Sequence, residues 1–225
     1  LTGPNTYAGP TLVNSGKLGV TTSALNTGDV TVADGAAFGI TQTVADSVYH
    51  AANVTFGSTL TTRLDFDLGN LAGNTANAPL AVSGTLTLNG TGIVINVADQ
   101  MPAVGTVPLV SYPVGQKAGS AGFVLGTLPN GVVATLVDDG AVGSVYLNVT
   151  SVSLPKWKGT ADDATPNGTW DIATTANWTD QVSGNPTTYA DGAPVLFDDS
   201  APDAGTTAVT LDTTVAPGSV KFNNF

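Results

Sequence analysis

The chain has no cysteine, no glutamate and few basic residues: lysine and arginine together account for six of its 225 positions. Without cysteine, disulfides, zinc–thiolate sites and thiol catalysis are excluded. With 17 acidic residues and a net charge of −11, the chain offers no basic patch to a phosphate backbone or to an anionic membrane surface. No apolar run reaches the roughly 20 residues that a membrane-spanning helix needs. We therefore expect neither a nucleic-acid partner nor membrane insertion by this segment.

A secretory signal is also missing, because no basic start is followed by a short apolar core. The chain opens within a motif, and residues 219–223 near its end have the pattern of a strand. We therefore expect a segment of a longer polypeptide, in which case the missing signal carries no information about localisation.

The residue types that are frequent in the chain are those that favour strands and turns. Threonine, valine, glycine and asparagine are frequent, methionine occurs once, and all acidic residues are aspartate. Valine and threonine favour strands, whereas aspartate, asparagine and glycine favour turns and corners. Hydrophobic residues make up 42% of the chain, which is enough for a core. The composition therefore predicts an all-β fold.

The first twenty residues set a pattern that the rest of the chain repeats more loosely. Two short apolar stretches, 11–13 and 17–20, are separated by the corner Asn14-Ser15-Gly16. A strand, a sharp corner and a second strand within about twenty residues correspond to one turn of a β-solenoid. One such turn cannot bury its apolar face alone, so we expect further turns to stack on it.

Further units follow with the same order of strand, corner and strand, beginning at residues 29–40. We expect a polar loop at residues 69–79, which are small, polar and rich in turn-forming residues. All three tryptophans come late in the chain. We therefore divide it into a β-solenoid at residues 1–153 and a tryptophan-containing plug at 154–225 that begins a further array. The predicted core includes Val13, Leu18, Val30, Val32, Phe38 and Ile40.

The opening motif is specific enough to suggest a family. Its characteristic positions are Leu1, Thr2, Gly3, Asn5, Thr6, Tyr7, Gly9, Thr11, Val13, Gly16 and Leu18. In this order and spacing they resemble the autotransporter-associated β-strand repeat of large bacterial surface proteins. The resemblance implies a right-handed parallel β-helix in a secreted or surface-exposed region, and it carries no catalytic residues.

The predicted fold, a right-handed parallel β-solenoid, indicates a structural function. We expect an extracellular or cell-surface segment of a bacterial rod or filament, and not an enzyme. An uncapped terminal strand exposes backbone N–H and C=O groups that pair readily with another strand. We therefore expect the chain to associate with itself, by head-to-tail stacking of repeats or subunits. The residues predicted to lie at the two ends are Leu12, Val13, Leu18, Val20, Val220, Phe222 and Phe225.

A second hypothesis is an adhesin or glycan-binding surface module, with surface glycans as its partners. Sugars stack on exposed aromatic faces, and four large aromatic residues lie close together in the sequence. They are Trp157, Trp170, Trp178 and Tyr189. The alternative for the same residues is a buried plug in the core.

A third hypothesis is a polysaccharide lyase or hydrolase. Asp65 and Asp67 lie on one face of a strand, about 7 Å apart, a separation that would suit the carboxylate pair of a glycosidase. Arg63 is the nearest cation in the sequence. The alternative is the solvated face of an amphipathic strand. His50 is the only histidine, and because no Gly-x-Ser-x-Gly motif accompanies it we expect a surface position.

Clusters of aspartate are candidate calcium ligands, since calcium prefers carboxylate oxygens. The strongest candidate is the group of Asp198, Asp199 and Asp203, although the chain has neither an EF-hand loop nor a Gly-Gly-x-Gly-x-Asp repeat. The alternative is that these aspartates cap turns. Apart from this structural calcium we expect no cofactor.

Overall fold

The computed structural model shows an all-β protein, which confirms the prediction from composition. Within the part of the chain that it describes, every regular element is a strand, and no segment forms a helix. Accordingly, none of these residues belongs to a helix long and apolar enough to cross a membrane. The described residues are 1, 3, 5–7, 9–24, 28–69, 76–98, 103–129, 131–152, 154–160, 165–181, 183–199, 201 and 208–223.

The chain divides into two compact units. Unit 1 comprises Leu1–Pro129 and Val133–Thr150, and unit 2 comprises Asn130–Val132 and Ser151–Phe225. The strands that lie wholly or mainly in unit 1 are β1 (Thr11–Val13), β2 (Lys17–Thr21), β3 (Val30–Val32), β4 (Ala37–Thr41), β5 (Tyr49–Ala51), β6 (Val54–Phe56), β7 (Thr62–Asp67), β8 (Leu80–Val82), β9 (Leu86–Leu88), β10 (Ile93–Ala98), β11 (Gly105–Ser111), β12 (Lys117–Ala118), β13 (Phe123–Leu125), β14 (Val132–Asp139) and β15 (Ser144–Val152).

These strands form three five-stranded sheets. Sheet A has the order β1-β3-β6-β9-β12, sheet B the order β2-β4-β7-β10-β13, and sheet C the order β5-β8-β11-β15-β14. All neighbours in sheets A and B are parallel. In chain order, β3-β4-β5, β6-β7-β8 and β9-β10-β11 each contribute one strand to sheets A, B and C in turn. Residues that are about one such triplet apart in the sequence therefore lie side by side on neighbouring strands of one sheet.

The register places apolar side chains of successive strands directly over one another. In sheet A, Val30, Val54 and Leu86 are in register and at most 1% exposed. In sheet B, Phe38 and Leu64 are in register and fully buried. Burial alternates along the strands, as the two-residue period of a strand with one buried face requires. Of the predicted core residues, Val13, Val30, Val32, Phe38 and Ile40 are buried and Leu18 is half-buried.

Unit 2 has a separate core and a mixed sheet. Its strands are β16 (Pro155–Trp157), β17 (Thr169–Trp170), β18 (Trp178–Asp180), β19 (Pro186–Thr187), β20 (Pro194–Asp198), β21 (Thr210–Leu211) and β22 (Ser219–Asn223). Sheet D has the order β19-β18-β16-β20-β22, and β17 pairs with β21. The pairs β16–β20, β20–β22 and β17–β21 are parallel, whereas β16–β18 and β18–β19 are antiparallel.

The antiparallel pairs depart from the prediction of parallel strands throughout. Strand β15 in sheet C is also antiparallel to β11. The β18–β19 pair shows the reason, because its connection is a short hairpin and only antiparallel strands can be joined that way. The Asp180 carboxylate accepts hydrogen bonds from Ser183 N (2.8 Å) and Leu154 N (3.0 Å), while Gly184 N donates to Asp180 O (2.8 Å).

Candidate functional site

The outer face of sheet B carries a groove of about 530 Å³ that crosses β2, β4, β7 and β10. Gly19 and Gly39 are in register in the middle of this face, where neither contributes a side chain of its own. Side chains in the two flanking rows form its walls. They are Lys17, Arg63 and Val94 on one side and Thr41, Asp67 and Ala98 on the other.

A lysine lies along the floor of this groove. Lys17 Nζ is 2.8 Å from Asp65 Oδ2, although their strands β2 and β7 are separated by β4. The lysine crosses β4 at Gly39, where a Cβ atom would come within 2.5 Å of Lys17 Cε. Glycine at this position therefore makes room for an ion pair between strands that are not neighbours.

Asp65 is held from its other side by an asparagine. Asn96 Nδ2 donates to Asp65 Oδ1 at 2.8 Å. The Asn96 side-chain oxygen in turn accepts from Thr127 N at 2.9 Å and Thr127 Oγ1 at 3.1 Å. Polar contacts therefore run without interruption from Lys17 to Thr127, across the width of sheet B.

These contacts decide the protonation of Asp65. Burial raises the pKa of this carboxyl, but the hydrogen bonds from Lys17 and Asn96, with the charges of Lys17 and Arg63, outweigh burial. The net effect is a pKa below the ordinary value of 3.8. A general acid near neutral pH needs a raised pKa. Asp65 is therefore suited to accepting hydrogen bonds and not to donating a proton.

Arg63 and Asp67 complete the polar residues on the outer face of β7. Arg63 is exposed, and Asp67 accepts a hydrogen bond from Gly69 N at 2.9 Å. Sequence reasoning found Arg63, Asp65 and Asp67 but missed Lys17 and Asn96. The available signal was a glycine at the same place in two successive predicted strands, which marks a position where a long side chain can cross.

The predicted surface position of His50 agrees with the structure. Its side chain is exposed on the outer face of β5, between the buried residues Tyr49 and Ala51, and its register partner is Ala81. Alanine supplies neither a nucleophile nor a carboxylate. This register pair therefore assembles no catalytic dyad.

The aromatic residues proposed as a sugar platform are core residues of unit 2. Trp157, Trp170, Trp178 and Tyr189 are between 0% and 7% exposed. The ring centroid of Trp178 lies 4.9 Å from that of Trp157 and 5.2 Å from that of Trp170, both in edge-to-face geometry. Buried rings present no face to a sugar, so the exposed-platform interpretation is corrected to a packed aromatic core.

The candidate calcium cluster contains an ion pair. Asp198 Oδ2 lies 3.6 Å from Lys156 Nζ, so a lysine already accompanies this carboxylate. Asp199 lies in the turn after β20, and Asp203 is outside the described residues. Across the described ranges, no three histidine or aspartate side chains are close enough together to hold a metal ion.

Several other aspartates share a structural arrangement. Each accepts a hydrogen bond from a backbone N–H that lies 24 to 31 residues further along the chain, in the turn beside its own. The short carboxylate side chain of aspartate suits such turns, which explains an acidic chain without glutamate. The residues are Asp29, Asp34, Asp46 and Asp191.

Asp34 makes the densest set of these contacts. Its carboxylate accepts from the backbone N–H groups of Ser58 (2.7 Å), Thr59 (3.1 Å) and Leu60 (3.0 Å). It also accepts from the Ser58 and Thr59 hydroxyl groups at 2.7 and 2.8 Å. The hydrogen bonds from Ser58, followed by that from Leu60 N, lower the pKa of Asp34 far below 3.8.

We expect this arrangement to make stability depend on acidic pH. Because the folded-state pKa is lowered, the contribution of Asp34 is fully present above its unfolded pKa of about 3.9 and is lost as pH falls below it. Asp34→Asn should lower the melting temperature by a few degrees at neutral pH and by less at about pH 3. Asp212→Asn is the control, since Asp212 is exposed and its side chain makes no hydrogen bond to a described residue. A difference from wild type that stays constant with pH would contradict the assignment.

The two ends predicted to self-associate differ in exposure. Phe222 and Val220 on β22 are 70% and 42% exposed, and Leu12 on β1 is 62% exposed. Val13 and Val20 are buried, and Leu18 is half-buried. Phe225 lies outside the described residues, as do residues 70–75 of the predicted loop.

Comparisons of the chain with models of protein families, with curated proteins and with solved structures found no match. The resemblance of residues 1–18 to the autotransporter-associated repeat therefore stays a prediction.

Proposed function

We propose that the chain is a structural segment of a β-solenoid, and that it forms part of an extracellular or cell-surface rod of bacterial origin. The repeated strand triplets of unit 1 support this proposal, since each triplet adds one strand to each of three sheets. The aspartate contacts support it too, because each ties a turn to the equivalent turn of the next triplet. Stability that is distributed in this way suits a load-bearing array of repeats.

The observation that carries the proposal is the apolar face of β22. Val220 and Phe222 are in register with Val195 and Phe197, which are only 2% and 8% exposed. The Phe222 ring stacks on Phe197 at 5.2 Å, yet it is 70% exposed. A buried stack therefore continues onto an edge strand that no described residue covers. Such an edge is a template for a further strand.

Strand β2 has a pattern of core-facing residues that matches the pattern on β22. Its core-facing residues Leu18 and Val20 have the same two-residue spacing as Val220 and Phe222. Strand β2 is the terminal strand of sheet B, so one of its backbone edges has no described strand of that sheet beside it. We infer that β22 of one copy pairs with β2 of the next. The resulting contact is heterologous and generates a filament.

The test is association of the purified chain. We expect the wild-type protein to form elongated particles in electron micrographs and to sediment faster as its concentration rises. Phe222→Asp should weaken association by about 10- to 100-fold, because burying a phenylalanine contributes about 1.5–3 kcal/mol. The measurement is sedimentation velocity over a concentration series.

Val142→Asp is the matched control, since Val142 is 62% exposed in the turn between β14 and β15. It introduces the same charge without touching β22 or β2, and it should associate like the wild type. Globular monomers at every concentration, or a Phe222→Asp variant that still associates, would show that the proposal is wrong.

A further inference from the structure

The groove lies on the outer face of sheet B, whereas stacking would use the backbone edge of β2. It crosses four strands and is open to solvent, and the Lys17 side chain covers its floor at Gly39. We propose that it binds a neutral oligosaccharide that lies across the strands. The proposal concerns binding only and does not depend on association of the chain.

The polar groups of the groove match sugar hydroxyl groups. Lys17, Arg63 and Asn96 present N–H donors, while Asp65 and Asp67 present carboxylate acceptors, and the five residues come from three strands. A hydroxyl group both donates and accepts hydrogen bonds, so a chain of sugars can use both kinds of partner. An aliphatic ligand would remove solvent from these groups and offer them no hydrogen bond in return, at a cost for each donor or acceptor that it buries.

The charges of the groove favour a neutral ligand. Two cations, Lys17 and Arg63, face two carboxylates, Asp65 and Asp67, so the formal charges cancel. Lys17 and Asp65 are also already paired, at 2.8 Å. A polyanion would gain no net attraction from such a groove, and it would meet the repulsion of a chain with net charge −11.

The dimensions and rigidity of the groove suit an extended chain of rings. Neighbouring strands lie about 4.8 Å apart, which is close to the length of one pyranose unit. The volume of about 530 Å³ lies within the range of small-molecule sites. Both oxygens of Asp65 are held, by Lys17 and Asn96, and Thr127 fixes Asn96. Little side-chain freedom is therefore lost when a ligand binds.

The experiment is calorimetric titration of the folded chain with cellohexaose, maltohexaose, xylohexaose and hexa-N-acetylchitohexaose. We expect saturable binding of at least one of them. Gly19→Leu should abolish this binding, because no atom lies within 4 Å of a Cβ placed there and the new side chain would fill the groove without disturbing the fold. Asn96→Ala should weaken it by about tenfold, the loss expected for one good hydrogen bond.

Thr31→Leu is the matched control, since it adds a leucine to an exposed position on the outer face of sheet A. It should bind like the wild type. The proposal is overturned if none of the four oligosaccharides binds, or if Gly19→Leu binds as well as the wild type. It is also overturned if oligogalacturonate or tetraglycine binds more tightly than every neutral sugar, because the site would then recognise a polyanion or a peptide.

Discussion

Trp178→Ala is expected to unfold unit 2 under conditions in which the wild-type unit is folded. Trp178 is fully buried and packs on Trp157, Trp170, Tyr189 and Phe197. Truncating a buried tryptophan costs about 3–5 kcal/mol, because apolar contacts are lost and a cavity is left. That loss is a large part of the 5–15 kcal/mol that stabilises a typical domain.

Tryptophan fluorescence reports this change directly. All three tryptophans belong to the aromatic core of unit 2, so Trp157 and Trp170 remain as probes in the variant. We expect their emission to move to longer wavelength and the denaturation midpoint to fall. Trp178→Phe keeps an aromatic ring at this position and should show a smaller shift. An unchanged midpoint for Trp178→Ala would show that these rings do not form the core of the unit.

Gly90→Ala is expected to destabilise unit 1 strongly. Gly90 has a φ of 78°, and a Cβ atom there would lie 2.1 Å from Leu60 O. The variant therefore carries the strain of a left-handed alanine, about 1–2 kcal/mol, and must also move the backbone at Leu60. Together these effects should cost about 2–5 kcal/mol.

Gly16→Ala separates the cost of backbone strain from the cost of the close contact with Leu60. Gly16 has a similar φ of 69°, but nothing lies within 4 Å of a Cβ atom placed there. It should lose only the strain of about 1–2 kcal/mol. Chemical denaturation followed by circular dichroism measures both variants against the wild type. Equal losses at the two positions would mean that the turn containing Gly90 does not approach Leu60 as closely as the structure indicates.

The core positions of unit 1 were largely predictable from sequence, whereas the geometry of unit 2 was not. Alternation of apolar and polar residues indicated the buried faces of strands such as Val30–Val32 and Thr62–Asp67. The antiparallel hairpin at Asp180 was missed, because strand patterns look alike for parallel and antiparallel neighbours. Its pairing depends on a short turn held by one carboxylate.

The aromatic residues show a second limit of prediction from sequence. A group of tryptophans has the same sequence signature whether it forms a sugar platform or a core. Only packing distinguishes the two, and in the structure Trp157, Trp170 and Trp178 pack edge to face and are buried. Burial of such large rings is a property of the assembled sheet and not of any single strand.

The amino-acid sequence by itself determined the all-β class and the turn-forming use of aspartate, because side-chain shape and backbone preference act locally. The tertiary structure decided which distant residues meet. Lys17 reaches Asp65 only because parallel register brings β2, β4 and β7 side by side and because Gly39 leaves space between them. Register is set by the packing of whole strands against one another, so the groove follows from the fold and not from any local pattern.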